Sequence, residues 1–310
     1  MPSFVDLDGL RTFKEHLKLS EGIDTATSSV AGLTKLYDEL GTATDGAVTQ
    51  ATVTKFVNAK RYGYRIKKAE SEPYERVEYL FDAAAMTPAK MDFVNGVFDY
   101  GSWADVWFVK DNKPCMLDSD GTVAYYLNPN DYSLKEDGTA SDITDTDTSL
   151  NAMAQIPLCW IKRYEDDEYF YEIVSNVRYD EDYKAYAHTD ADDIIKPYFY
   201  TAMFGASGNA TKLRSLSDQT AALMLTAQQQ VTAATANGSD WYIGTWSQHE
   251  LIRTLLVLIS KSCDSQASFG NGNAQYPATA QKLLTTGTLS DKGQFFGYND
   301  FTHQVKVFHV

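Results

Sequence analysis

The 310 residues are 44% hydrophobic and 13% aromatic, enough to bury a core and to exclude wholesale disorder. Forty-two acidic against 27 basic residues give a net charge of −15, a field that repels phosphate and argues against a nucleic-acid groove or an anionic membrane surface. Cys115, Cys159 and Cys263 lie far apart, which favours neither a disulfide scaffold nor a zinc ribbon, and no apolar run is long enough for membrane insertion.

In chain order, residues 1–61 form a first part with no Trp and one Tyr, Tyr37. Leu7, Leu10, Phe13 and Leu17 recur at helical spacing, as do Leu33, Leu36 and Leu40. A third helical stretch starts near Thr44-Asp45-Gly46 and carries Val53, Phe56 and Val57. Each stripe is narrow, and helices this short need partners. The part is therefore expected to be a helical segment that either packs on copies of itself, as an oligomerisation or anchoring segment, or folds back on the main domain as a helical hairpin.

Residues 62–310 form the second part, where aromatics become dense. Strands are expected at Arg76–Phe81, Trp103–Lys110 and Thr122–Leu127. Asp118-Ser119-Asp120-Gly121 reads as a turn, and 128–150 as a long polar loop. Pro157–Tyr164 and Tyr169–Val174 read as a hairpin turned by Glu165–Glu168. A helix over Ala227–Ala236 is capped by Thr226 and stopped by Asn237-Gly238. Another starts at Ser247-Gln248-His249-Glu250, whose ends match a capping box, and buries Leu251, Leu255, Leu258 and Ile259. A Gly/Asn loop at 269–273 and extended patches at 294–298 and 305–310 complete the chain. The class is α+β.

Catalytic signals are sparse. No G-x-S-x-G elbow and no paired-His metal spacing occurs. Cys263 follows a helix C-terminus, where a thiol is disfavoured as a nucleophile, and reads as a small buried thiol. The carboxylates at 165–168, 180–182 and 190–193 read as solvated turns and loop faces. Asp142-Ile143-Thr144-Asp145-Thr146-Asp147 leaves calcium as an open reading, without the glycine or closing Glu of an EF-hand. No cofactor and no enzymatic activity are expected. Tyr, Trp and Asn instead suggest a recognition surface, with most rings, including those of Tyr179, Tyr183 and Tyr186, expected to pack the domain.

Asp45-Gly46-Ala47-Val48-Thr49-Gln50 resembles a phrase common in bacteriophage tail-fibre shafts. Asp99–Trp103, Lys110–Met116, Tyr125–Tyr132, Ile259–Gln266 and Leu289–Phe296 resemble a family of tail-fibre or minor structural proteins from phages of gut Firmicutes. Trp246 before a capped helix, the Gly/Asn-rich loop and a terminal strand at Val305–Phe308 resemble the C-type-lectin-like fold of formylglycine-generating enzymes and phage tropism determinants. That fold implies a small twisted antiparallel sheet with a few helices and long loops. Proteins of this pattern continue past the last strand, so the domain is expected to be shortened at Val310 or completed by a neighbouring subunit. The cysteines do not reproduce the enzyme branch's arrangement, so its activity is not carried over.

The resemblance implies a homo-oligomeric virion component, a trimer by expectation, made in the host bacterial cytoplasm. Its N-terminal part would join other virion proteins, and its larger domain would bind a host-surface glycan or protein. By position, Trp241, Trp246, Asn271, Asn273, Tyr298, Asn299 and Asp300 are the expected ligand-binding residues. A purely structural head or tail fibre is the alternative, and a polysaccharide depolymerase comes third.

Overall fold

The computed structural model describes residues 57–93, 97–270, 285–287 and 307–309, with the backbone of 35–37 and 46–48. The chain separates into two compact units, Met1–Val57 and Asn58–Val310. In the first, β1 (Lys35–Tyr37) pairs in parallel with β2 (Gly46–Val48). This corrects the helix expected over Leu33–Leu40. A segment that short gains little from helix formation, and a ladder satisfies the same backbone groups. The helix expected at Leu7–Leu17 lies outside the described residues.

The second unit is built on two antiparallel sheets. One contains β3 (Arg61–Lys67), β4 (Val77–Phe81), β11 (Trp160–Glu165) and β12 (Tyr169–Ser175), in the order β11-β12-β3-β4. The other contains β7 (Lys113–Leu117), β8 (Val123–Asn128), β9 (Asp131–Lys135), β10 (Asn151–Pro157) and β13 (Tyr198–Ala202), in the order β13-β10-β7-β8-β9. Short hairpins form from β5 (Lys90–Asp92) with β6 (Val97–Asp99), and from β14 (Ser207–Asn209) with β15 (Lys212–Arg214). Helices α1 (Trp107–Lys110), α2 (Ala227–Thr235), α3 (Trp246–Ser260) and α4 (Ser265–Phe269) are set among them.

Alternation along the strands explains the core. Tyr62, Tyr64 and Val174 face inward from one sheet, Met116, Ala152, Ala154 and Ile156 from the other, and Leu251, Leu255, Leu258 and Ile259 from α3. The Tyr62 ring is a hub, with Trp103 at 5.4 Å, Trp107 at 5.8 Å and Phe108 at 6.2 Å between centroids. Such edge-on and tilted contacts add to the burial of large apolar area.

That hub explains why the strand expected over Trp103–Lys110 does not form. The run coils instead into a 3-10 turn, Gly101–Trp103, and one turn of α1. Coiling buries both Trp103 and Phe108 beside Tyr62, while Trp107 Nε1 donates to Leu158 O at 3.1 Å. The expected terminal strand is likewise corrected over its described residues. Val307–His309 is a tight turn with Phe308 at φ 60°. Phe308 is buried near Tyr100 and Phe108, and Tyr132 Oη and His309 Nδ1 share a hydrogen bond of 2.6 Å. The polar stretch 128–150 holds strand β9, because Ser141 N and Lys135 N bond back across a small hairpin.

The expected strand at Arg76–Phe81, the turn at Asp118–Gly121, the Glu165–Glu168 hairpin and α2 with its Thr226 capping box all form. The next helix starts two residues earlier than expected. Thr245 Oγ1 accepts from Gln248 N, and Gln248 Oε1 accepts from Thr245 N. Thr245 is in extended conformation and can cap, whereas Ser247 is already helical.

One polar row crosses the four-stranded sheet beneath α3. Arg163, Glu172, Tyr64 and Tyr79 are register neighbours on successive strands. Tyr79 Oη donates to Leu258 O at 2.6 Å, and Arg163 Nη2 donates to Thr254 Oγ1 at 2.8 Å. At the centre the Glu172 carboxylate accepts from Tyr64 Oη, Arg253 Nη2 and Thr254 Oγ1, with Arg163 Nε at 3.3 Å. Burial alone would raise this carboxyl. Arg253, the hydrogen bonds from Tyr64 and Thr254, and Arg163 outweigh it and hold the carboxyl below its ordinary value. The Tyr64 phenol is pushed upward by burial and by the Glu172 charge.

Two outcomes are expected. Glu172→Gln removes the charge on which Tyr64, Thr254, Arg163 and Arg253 converge, Arg253 keeping Glu250, and should lose ~2 kcal/mol in urea unfolding at neutral pH. Because the folded-state value is lowered, the stabilisation is present above the ordinary carboxyl value of 4.5 and is lost as pH falls through the folded value. The variant should therefore show a flatter acid limb than wild type. Separately, Thr245→Ala should cost ~1 kcal/mol in the same assay, and Ser247→Ala less than half of that.

Candidate functional site

A cleft of about 650 Å³ runs along the outer edge of β11. Its floor is apolar, from Cys159, Ile161 and Ala187. Three exposed rings stand around it: Trp246 at 78% exposure, Tyr186 at 69% and Tyr164 at 45%. Lys162, Arg163, Asp182, Lys184, Ser247 and Glu250 supply polar groups.

Each wall has a distinct origin. Ile161 exchanges both backbone hydrogen bonds with Lys184, at 2.8 and 2.9 Å, which seals the first part of the strand edge. Two residues on, strand periodicity turns the Arg163 backbone N–H and C=O the same way. The 3-10 turn Tyr186–His188 and the first two turns of α3, which pack on each other, bring Tyr186 and Ala187, and Trp246, Ser247 and Glu250, to the cleft. Tyr164 stacks on its cross-strand partner Tyr171, with centroids 4.5 Å apart and planes 6° apart, on the sheet face opposite to Arg163 and Glu172.

The charges are arranged in pairs. Lys162 Nζ lies 2.7 Å from Asp182 and 3.0 Å from Asp180. Arg253 and Arg163 both reach Glu250, at 3.1 and 3.7 Å. Lys162 suffers desolvation, yet its hydrogen bonds to Asp182 and Asp180 keep its ammonium above its ordinary value. The cleft therefore offers fixed donors and acceptors beside apolar ring faces, a mixture that suits a ligand with both CH faces and hydroxyls.

Trp246 is the expected binding residue that lies in this cleft. Trp241 lies elsewhere. It packs on Cys115, Leu117 and Met153, on the opposite side of the five-stranded sheet from the main core, and its Nε1 donates to Ser119 O at 3.0 Å. Asn271, Asn273, Tyr298, Asn299 and Asp300 lie outside the described residues. Of the three spaced tyrosines, Tyr183 is buried and pairs with Tyr179 at 5.8 Å, while Tyr186 is exposed. Their spacing marks the segment, but only tertiary packing separates the free ring from the packed ones. Tyr164, Lys184 and Glu250 carry no sequence signal for a site.

The acidic stretches are turn hardware. Asp166 accepts from Glu168 N and Tyr169 N, Asp180 from Asp182 N, and Asp190 from Asp192 N and Ile194 N. Asp142 accepts from Tyr125 Oη and Asp145 from Asp147 N. Among the described residues no three His, Cys, Asp or Glu side chains gather as a metal site, and no helix is long and apolar enough to cross a membrane. Cys263 is exposed, correcting the buried thiol expected there: after the αL residue Lys261, Ser262 is the buried position and the Cys263 N–H donates to Pro73 O at 3.2 Å. Burial pushes the Cys115 thiol up to about 12 and raises Cys159 as well.

No family model matches the chain, and neither the curated proteins nor the solved structures searched contain a match.

The two tryptophans should separate cleanly under mutation. Trp241→Ala removes a packed ring and a hydrogen bond and should cost ~2 kcal/mol in chemical denaturation, while Trp246→Ala should stay within ~0.5 kcal/mol of wild type.

Proposed function

We propose that this protein is a receptor-binding fibre component of a bacteriophage particle, and that the β11 cleft binds a glycan of the host surface. The observation that carries the ligand reading is the pair of exposed rings, Trp246 and Tyr186, that line the cleft together with apolar Cys159, Ile161 and Ala187. Aromatic faces stack on sugar C–H surfaces, and Asp182, Glu250 and Arg163 would accept from or donate to hydroxyls.

The phage assignment rests on the sequence resemblances at Asp45–Gln50 and in the second part of the chain. In the same reading, the second unit is C-type-lectin-like, its two antiparallel sheets carrying long connections. The first unit assembles copies, by proposal a trimer. Several clefts on one particle would turn weak single contacts into firm adhesion, because later contacts are effectively intramolecular.

The test is a binding titration of the full chain with cell-wall polysaccharides purified from gut Firmicutes, beside sedimentation to give the oligomer order. Saturable binding that Trp246→Ala and Tyr186→Ala each weaken ~10-fold, with the fold intact, is the expected result. Absence of binding to the whole panel, with the chain present stoichiometrically in particles, would replace this reading with a purely structural fibre. Release of new reducing ends would replace it with a depolymerase.

A further inference from the structure

The groups the cleft does not expose include one directly behind its wall. His188 is 2% exposed, and its ring stands edge-on to Phe199 at 4.9 Å. Its Nε2 accepts from the backbone N–H of Cys159, at 3.3 Å, and Cys159 is the cleft floor. Its Nδ1 is buried with no partner among the described residues. His188 also ends the 3-10 turn whose other members, Tyr186 and Ala187, line the cleft. One imidazole thus joins the floor to the side wall, and it does so only as a neutral ring.

The contact fails on protonation for a geometric reason. An imidazolium has two N–H donors and no acceptor. Its Nε2–H would point at the Cys159 N–H, donor against donor, while a full charge sat in an apolar cage. The titratable groups around it give no relief. On its own segment are Lys184, Asp190 and Lys196, the last two paired with each other at 2.9 Å. Cys159 faces it from the β10–β11 link, Tyr198 sits beside Phe199 on β13, and α3, which packs on the turn, carries Glu250 and His249. Burial alone accounts for the lowering of His188 from 6.5 to about 4, with no charged neighbour contributing.

We propose that mild acid opens the cleft wall at Lys184–Thr189 through His188, so that the binding groove is intact near neutral pH and loosened near pH 5. The proposal concerns the wall itself and holds whatever ligand fills the cleft.

The sign follows from linkage. A ring that titrates near 6.5 when exposed and near 4 when enclosed favours the open wall as pH falls between those values. At pH 5.0 the open fraction should rise about 30-fold over that at pH 7.5.

Amide hydrogen exchange on the ligand-free full chain tests this. After correction for intrinsic rates, protection across 184–189 should drop about 30-fold between pH 7.5 and 5.0, while amides of the β3–β12 ladder hold. His188→Gln, which keeps an acceptor for Cys159 N–H but does not titrate, should flatten that profile, and His188→Phe provides a second non-titrating variant should the first fold poorly. The proposal is overturned if wild-type protection at 184–189 is the same at both pH values. It is equally overturned if a non-titrating variant retains the drop, or if the loss is spread evenly over both sheets.

Discussion

A single buried carboxylate organises the second unit. Glu172 sits at the centre of the four-stranded sheet, directly under α3, where an isolated charge would cost several kcal/mol. It is tolerated because donors arrive from three directions: Tyr64 from the neighbouring strand, Arg163 from the other side, and Arg253 and Thr254 from the helix. Such a set fits only one placement of the helix on the sheet. Leu251, Leu255 and Leu258 supply the burial that makes α3 adhere, but apolar contacts alone would tolerate sliding. The carboxylate and its donors fix the register.

That register determines the cleft. Trp246 and Glu250, one turn apart, open the helix that goes on to carry Arg253 and Thr254. Arg163 touches Glu172 on one side and Glu250 on the other, and so lies between the buried network and the groove. The groove is therefore mounted on a rigid support, although Trp246 and Tyr186 are exposed. By contrast, the other wall is a short turn held through His188 to Cys159, with a buried ring nitrogen left unpaired. Rigid on one side and conditionally held on the other, the cleft has an asymmetry that a packed core would not show.

The surplus of acid is absorbed locally. Asp131, Asp137, Asp166, Asp180 and Asp190 each accept backbone N–H groups two to four residues on, so they punctuate turns. Side-chain hydrogen bonds from Thr139, Tyr171 and Lys196, followed by those backbone groups, hold Asp137, Asp166 and Asp190 below the ordinary carboxyl value. Much of the −15 charge is in this sense structural. It shapes the turns of the second unit.

What the sequence determined by itself is local. The hairpin turned at Glu165–Glu168, the Thr226 cap, the α3 stripe and the Asp118–Gly121 turn are each decided by residues within a few positions of one another, and each forms. Where a local pattern admitted two outcomes, long-range packing decided. Trp103–Lys110 alternates as a strand would, but it coils because Tyr62, some forty residues earlier, offers its rings a common neighbour. Val307–His309 looks extended and is bent, because Tyr100, Phe108 and Tyr132 receive its side chains. Trp246 could be singled out from its place before a helix, whereas Tyr164, Lys184 and Glu250 could not. Their meeting along the edge of β11 depends on which strand is left at the sheet's border and how α3 is registered upon it. Those are consequences of contacts across the whole domain, and no short stretch of sequence contains them.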